Sequence, residues 1–106
     1  MKQLFISTLW SACLVMAGVN GAGADAVEGL ALAEEYCVRC HDVTPGGAAK
    51  TYPPSFASIA WFRDDDQIRA RILFPILHGS MPLWSNWLTT DEVDSLVAYI
   101  VTLEGT

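Results

Sequence analysis

Two cysteines followed at once by a histidine are the residues of this chain whose types and spacing could do chemistry. They stand in the segment EYCVRCHDV, residues 35–43, as Cys37, Cys40 and His41. A structural zinc site needs four ligands, usually supplied as two pairs, and the chain offers only one further histidine, His78. A disulfide between the two cysteines would close a loop of only a few residues and would stabilise the fold little.

Two kinds of site remain for this pair, a thiol redox site and a haem attachment site. A thioredoxin-like site expects the pair at the end of a strand in a βαβ unit, but here the pair follows a helical pattern. The spacing C-x-x-C-H is the attachment motif of c-type haem. The two thiols then add across the haem vinyl groups, and His41 binds the iron from one side. We therefore predict one covalently bound haem c.

A six-coordinate haem iron needs a second axial ligand, and a methionine is a candidate. Met1 and Met16 lie in the N-terminal segment, so Met81 is the only methionine in the rest of the chain. It stands in HGSMPLW, between two helical patterns, where a methionine that merely fills the core is less expected. We predict that Met81 is the second ligand, with His78 as the rival.

The first 24 residues have the layout of a secretory signal peptide. Lys2 precedes a mostly apolar run of about 16 residues, short of the roughly 20 that a membrane-spanning helix needs. Ala24 and Ala26 each end a small-residue motif of the A-x-A type, so we predict cleavage after one of them. Retention of the segment as a membrane anchor is the alternative. Cleavage leaves residues 25–106 as one exported domain.

The charge of the chain limits its partners. The formal net charge is −6, and Lys2 is the one basic residue outside residues 25–106, so that domain carries −7. This acidic balance argues against nucleic-acid binding, which needs a basic surface. It suits a protein partner that is basic where it docks. A domain of about 80 residues has a small hydrophobic core and often needs extra stabilisation, which a covalent haem would supply.

Helical patterns position the candidate ligands. We predict a first helix over residues 26–41, with Asp25 and Glu28 spaced as a capping box, so that the C-x-x-C-H motif lies at its end. Residues 44–55 are rich in proline and glycine and are predicted as a loop. A short helix is predicted over residues 55–60.

Two further helices complete the domain. The third is predicted to begin at residues 64–66, three aspartates that suit a helix N-terminus, and to end near Phe74 because Pro75 follows. The last begins at Thr89 and Glu92, a second capping box. No strong strand pattern is present, so the fold class is predicted as all-α. The apolar stripe of the last helix repeats at helical spacing and comprises Val93, Leu96, Val97, Ile100 and Val101.

On these motifs the sequence resembles the class I monohaem cytochromes c of bacteria, over essentially all of residues 25–106. The resemblance rests on CVRCH after a first helix, Met-Pro in a later loop, and a last helix that reads LVAYI. It implies the cytochrome c fold, in which three main helices and a short one wrap around one haem. It also implies that the first and last helices cross closely at Gly29, with Leu96 and Tyr99 as its partners.

The resemblance also indicates residues around the haem. In the family a proline-loop carbonyl accepts the N–H of the haem-binding histidine, and Pro54, or else Pro53, is the candidate to bind His41. Trp61 and Trp84 are candidates for the haem pocket, where an indole N–H could bond a haem carboxylate; ordinary packing or an exposed docking surface is the alternative. Further candidates for pairing with those carboxylates are Arg63, Arg69 and Arg71.

Together these features predict an electron carrier rather than an enzyme, located in the periplasm of a Gram-negative bacterium. It would pass single electrons between a donor and an acceptor protein by Fe(III)/Fe(II) cycling, with His41 and Met81 on the iron in both states. We expect a monomer or a loosely bound subunit, with membrane contact only if the N-terminal segment is retained. Two alternatives fit the same residues: a haem subunit of a larger oxidoreductase, and a haem-based sensor of small ligands.

Overall fold

Four α-helices form the framework of the part of the chain that the structure describes. The computed structural model describes residues 24–47, 52–76 and 79–106, and none of these lies in a strand, so the all-α prediction is confirmed. None of the helices in these ranges is long and apolar enough to cross a membrane. The elements are α1 (Ala26–Tyr36), α2 (Phe56–Phe62), α3 (Asp65–Leu73), a 3-10 helix (Trp84–Asn86) and α4 (Thr90–Val101).

The closest packing between elements is the crossing of α1 and α4. Gly29 is buried there, and a Cβ atom at this position would overlap the carbonyl oxygen of Ser95 and lie 2.7 Å from Tyr99 Cβ. The two backbones therefore approach so closely that only glycine fits. Of the two predicted partners, Tyr99 lies in this contact, and Ser95, which was not predicted, lies four residues before it on the same face of α4.

The start of α1 is tied to α4 by side chains. The Asp25 carboxylate caps the helix by accepting from the Val27 amide at 2.8 Å. The predicted capping box of Asp25 and Glu28 is wrong, because the Glu28 carboxylate instead accepts from the Ser95 hydroxyl at 3.2 Å. The same hydroxyl accepts from the Asp25 amide at 3.1 Å. One serine of α4 thus satisfies two groups in the first turn of α1.

The end of α1 falls earlier than the sequence predicted. The helix stops at Tyr36 rather than at His41, and its C-cap Cys37, with φ −109° and ψ −24°, still lies in the right-handed helical region. The amides of Cys40 and His41 then both donate to the Cys37 carbonyl, at 3.2 and 2.9 Å. The C-x-x-C-H motif consequently lies on a tight turn directly after α1.

The short and third helices begin and end close to the predicted positions. Ser55 caps α2 by accepting from the Ser58 amide, and the helix runs one further half-turn beyond the predicted end. The side chains of Asp64 and Gln67 form a full capping box at the start of α3. This helix ends at Leu73, with Phe74 as its C-cap, as expected from the proline that follows.

An arginine joins α3 to α4. The Arg69 side chain donates to the Asp94 carboxylate at 2.7 Å and to the Asp66 carboxylate at 2.9 Å. The charge of Asp94 in this hydrogen bond raises the Arg69 pKa above its usual value. Arg69 therefore serves the packing of two helices.

The centre of the core is the apolar face of α4. The Thr89 hydroxyl caps this helix by accepting from the Glu92 amide at 3.2 Å. The predicted stripe is buried, apart from Val101, which is half-buried at its edge. The other elements add to the same cluster Ala33, Val43, Phe56, Ala60, Ile68, Ile72, Leu88 and Leu103.

Replacement of Gly29 by alanine tests the crossing. Helix propensity alone would make Gly29→Ala stabilising by about 1 kcal/mol. The overlap with Ser95 and Tyr99 predicts the opposite sign, a loss of about 1–3 kcal/mol, because an added methyl group forces the helices apart. Urea unfolding of the haem-loaded protein measures the difference. Val27→Ala, an exposed change on α1, is the control; a stabilised Gly29→Ala variant would contradict the close crossing.

Candidate haem-binding site

An apolar cavity of about 550 Å³ lies beside the C-x-x-C-H turn. Its volume falls within the roughly 300–1,000 Å³ of typical cofactor and ligand sites. The cavity is bounded by this turn, the loop before α2, helices α2 to α4 and the segment after residue 78. Hydrocarbon side chains make up most of its walls, and these include Phe56, Ile59, Ile68, Ile72, Leu88, Leu96 and Ile100.

Most of the residues predicted for the site share this cavity. Trp61 is the exception: it lies on the opposite side of α2 from Ile59 and Arg63 and borders a second, smaller cavity. Its indole is 63% exposed, on the helix face that also carries Ala57 and Ser58. The predicted residues that line the main cavity are Cys37, Cys40, His41, Pro54, Met81 and Trp84.

The imidazole of His41 is held in one orientation. Its Nδ1 atom lies 2.6 Å from the carbonyl oxygen of Pro54. A carbonyl can only accept, so Nδ1 carries the proton and Nε2 keeps a free lone pair. Pro53 also borders the cavity, but Pro54 is the proline whose carbonyl contacts the histidine. His41 can therefore offer Nε2 to a metal.

A buried phenylalanine supports this histidine. The ring of Phe56, only 4% exposed, lies 5.3 Å from the imidazole of His41 and 6.5 Å from the ring of Tyr99, centroid to centroid. Tyr99 in turn donates its hydroxyl to the Val43 carbonyl, which fixes the chain just after the motif. Phe56 was not identified from the sequence. Its position directly after YPPS, the loop expected to bind His41, could have indicated a residue close to that histidine.

The two cysteines are free thiols. Cys37 is half-buried, and this burial, with a smaller effect from Cys40, raises the pKa of its thiol to about 11. A thioether forms when the sulfur and hydrogen of a thiol add across a carbon–carbon double bond, so the attachment chemistry requires reduced cysteines. Both side chains border the cavity in that state.

Met81 reaches the cavity from a different part of the chain. Its side chain is half-buried and packs against the core beside Pro82, which also borders the cavity. The two candidate axial ligands, His41 and Met81, are thus brought to one site by the fold. The rival ligand His78 lies outside the described residues.

The cavity also has cationic and aromatic borders. Arg63 and Arg71 line it, whereas Arg69 is occupied by its two aspartates. Trp84 meets Tyr36 edge-on, with ring centroids 5.7 Å apart. Tyr36, the last residue of α1, also lines the cavity.

This set of groups fits a haem better than a bare metal ion. Among the described residues no three His, Cys, Asp or Glu side chains converge to hold a metal. The porphyrin of a haem already supplies four nitrogen ligands to the iron. The protein needs to provide only the thiols for attachment, the axial ligands and an apolar pocket. Cys37, Cys40, His41 and Met81 around one hydrocarbon-lined cavity meet those demands.

Comparisons with known proteins lead to the same cofactor. The family profile described as "Cytochrome C oxidase, cbb3-type, subunit III" matches residues 24–100. Cytochrome c-552 of Bradyrhizobium diazoefficiens is 37% identical over 98 residues, which cover 86% of this chain and 90% of that protein. No solved structure matches the chain. The chain belongs to the small monohaem c-type cytochromes, a family that binds haem c covalently and carries electrons.

Removal of the Phe56 ring tests how the histidine is supported. Phe56→Ala should lower the free energy of unfolding of the haem-loaded protein by about 3–5 kcal/mol, because a large buried ring leaves a cavity. Phe62→Ala is the matched control on the same helix; Phe62 is 75% exposed, and its loss should cost no more than about 0.5 kcal/mol. Urea titration measures both. Equal losses would contradict the assigned role of Phe56.

Proposed function

We propose that this cytochrome is a periplasmic electron carrier that holds one haem c through Cys37, Cys40, His41 and Met81. The observation that carries the proposal is the convergence of these four side chains on one apolar cavity. When bound, the haem iron supplies a one-electron Fe(III)/Fe(II) couple. A protein ligand on each side of the iron in both states leaves no vacant position, which favours electron transfer over binding of small ligands.

His41 is prepared for its role by its hydrogen bond. The Nδ1–H group of His41 donates a hydrogen bond to the Pro54 carbonyl oxygen. This bond fixes the orientation of the ring and leaves Nε2 free to act as a ligand. Such a bond also raises the basicity of the ligating nitrogen. Phe56 packs against the same ring and limits its rotation. The ligand therefore needs little rearrangement when the charge of the metal changes.

Met81 would supply the second ligand from the segment after residue 78, whereas His41 comes from the turn after α1. A thioether is a soft, neutral ligand that favours the reduced metal and raises the reduction potential compared with a second histidine. Pro82 restricts the backbone next to this methionine, because its ring fixes one dihedral angle. A stiff segment holds the sulfur in place more firmly than a glycine-rich one.

The remaining residues of the cavity would bind the rest of the cofactor. We assign the haem carboxylates to Arg63 and Arg71, the two arginines that border an otherwise apolar site. Guanidinium groups suit carboxylates because they donate two parallel hydrogen bonds. The hydrocarbon walls exclude water, which strengthens these charge interactions.

We further propose export of the chain with cleavage after Ala24 rather than after Ala26. Asp25 is the N-cap of α1, and its nitrogen bonds Ser95. Cleavage after Ala26 would remove both contacts and place an ammonium group at Val27, inside the first turn, where the helix dipole disfavours positive charge. Cleavage after Ala24 keeps the cap and leaves the new ammonium group beside the Ser95 hydroxyl.

A haem subunit of a larger oxidoreductase is the second candidate function. The family profile that matches the chain is named for an oxidase subunit, and Trp87 is exposed. A carrier elutes from a size-exclusion column near the mass of one chain, whereas a subunit co-elutes with its enzyme. Native periplasmic and membrane extracts separate the two functions.

Replacement of Met81 tests the axial ligand. Met81→Ala should abolish the weak near-infrared band of iron–sulfur ligation, lower the reduction potential and allow the ferrous form to bind carbon monoxide. Absorption spectra and a redox titration of the purified holoprotein measure these effects. Leu83→Ala, two residues away and 45% exposed, should leave all three unchanged.

The wild-type protein decides between the carrier and a ligand sensor. A ferrous wild type that binds carbon monoxide readily would contradict stable Met81 ligation and favour the sensor. A near-infrared band that persists in Met81→Ala would show that another residue supplies the sixth ligand.

The mass of the exported protein tests the cleavage site. We expect the mature chain to begin at Asp25, with the mass of residues 25–106 plus one haem. Intact-mass spectrometry of the periplasmic form measures this, and N-terminal sequencing confirms the first residue. A chain that begins at Val27, or one that retains residues 1–24, would contradict the proposed cleavage.

A further inference from the structure

A row of aromatic rings leads from the protein surface to a haem-attachment cysteine. The Trp87 indole is 64% exposed, and its ring centroid lies 6.2 Å from that of Trp84. Trp84 lies 5.7 Å from Tyr36, again edge-on. Tyr36 is the residue directly before Cys37. The aromatic row, Trp87–Trp84–Tyr36, therefore joins solvent to the cofactor site without a gap.

Carboxylates flank the inner end of this row. Glu35 precedes Tyr36 in the chain, and Glu92 lies in the first turn of α4. Their charges raise the pKa of the Tyr36 phenol, Glu35 most strongly, which places both within electrostatic reach of the ring. Neither carboxylate forms an ion pair within the described ranges. The aromatic row thus has an apolar centre, with two carboxylates near its inner end and Arg39 exposed three residues after Tyr36.

Three arginines have assigned contacts of their own, although two of them line the same cavity as Tyr36 and Trp84. Arg63 and Arg71 border the cavity, and Arg69 is engaged between α3 and α4. A positive partner at the aromatic row would meet no competition from these three side chains. Charge complementarity therefore selects the partner for this surface.

We propose that the aromatic row is the docking surface for a redox protein whose own docking face has an apolar centre and a rim of lysine or arginine. The proposal rests on the electron-carrier function. On contact one electron leaves the reduced iron and reduces the oxidised centre of the partner, while the three rings remain chemically unchanged. The rate of electron transfer falls steeply with distance, so a partner seated on rings that reach Cys37 has a short path.

A second exposed aromatic surface, on α2, lacks these properties. Trp61 and Phe62 stand on α2 beside the smaller cavity, whose other walls come from residues near Gly46 and Gly105. Neither ring is stacked on a residue next to the cysteines. Trp61, with 63% exposure against 64% for Trp87, is therefore a matched control.

Oxidation of the reduced holoprotein by two small complexes tests the surface. Tris(phenanthroline)cobalt(III) is a trication with apolar aromatic faces and imitates the partner; ferricyanide is an anion and does not. In stopped-flow measurements at low salt, Trp87→Ala should slow oxidation by the cobalt complex at least fivefold, and Trp61→Ala should leave its rate within twofold of wild type. Ferricyanide should oxidise all three proteins at similar rates.

A charge variant tests the rim separately. Glu35→Gln should also slow the cobalt reaction and weaken its dependence on ionic strength, because one attractive charge is lost. The reduction potential and visible spectrum of each variant must match the wild type, which separates docking from damage to the haem site.

The outcomes separate the surface from the carrier function. Equal rates for the Trp87 and Trp61 variants with the cobalt complex, or an equal slowing by both, would overturn the docking surface. Either result would leave the carrier function intact, as long as ferricyanide still oxidises the protein. Failure of the wild type to exchange electrons with either complex would instead overturn the carrier function itself.

Discussion

The close crossing of α1 and α4 at Gly29 is the constraint on which the rest of the structure depends. Because the two backbones touch there, the C-terminal end of α1 is set relative to α4, and the C-x-x-C-H turn that follows is set with it. α4 then supplies Leu96 and Ile100 to the wall of the cavity beside that turn. One glycine without a side chain thus fixes the distance between the attachment residues and the apolar surface that receives the cofactor.

The cavity imposes a second demand, since it removes volume from the centre of a small domain. A domain of about 80 residues buries only a modest share of its surface, and an apolar hole filled with water would leave hydrocarbon walls such as Ile68 and Ile72 without contacts. A haem supplies those contacts. A haem bound in this cavity would therefore be part of the core as well as the redox centre, and the short helices α2 and α3 would pack against it.

Much of the fold and the site was predictable from the sequence because both rest on local patterns. Helical spacing located α4, and a proline located the end of α3. The C-x-x-C-H motif with a lone methionine predicted the candidate ligands, which the fold brings to one cavity. The errors have one physical origin, competition between local and tertiary contacts. Glu28 has capping-box spacing but bonds Ser95 across the helix crossing. The seven residues of α2 place Trp61 on the side of that helix away from the main cavity, and α1 ends at Tyr36, before the predicted His41.

An electron carrier must bind its partners specifically yet release them quickly, and the distribution of charge suits both needs. Two of the arginines border the cavity, where they suit the cofactor, while the acidic residues dominate the outer surface. Long-range attraction by many exposed carboxylates accelerates the encounter, but such charges are screened by salt and add little to the lifetime of the complex. A small apolar centre such as Trp87 then orients the partner without holding it for long, since small interfaces are typical of weak redox encounters. A long-range attraction that speeds the encounter and a small apolar contact that is easily broken would therefore let one short chain hold its cofactor permanently and its partners briefly.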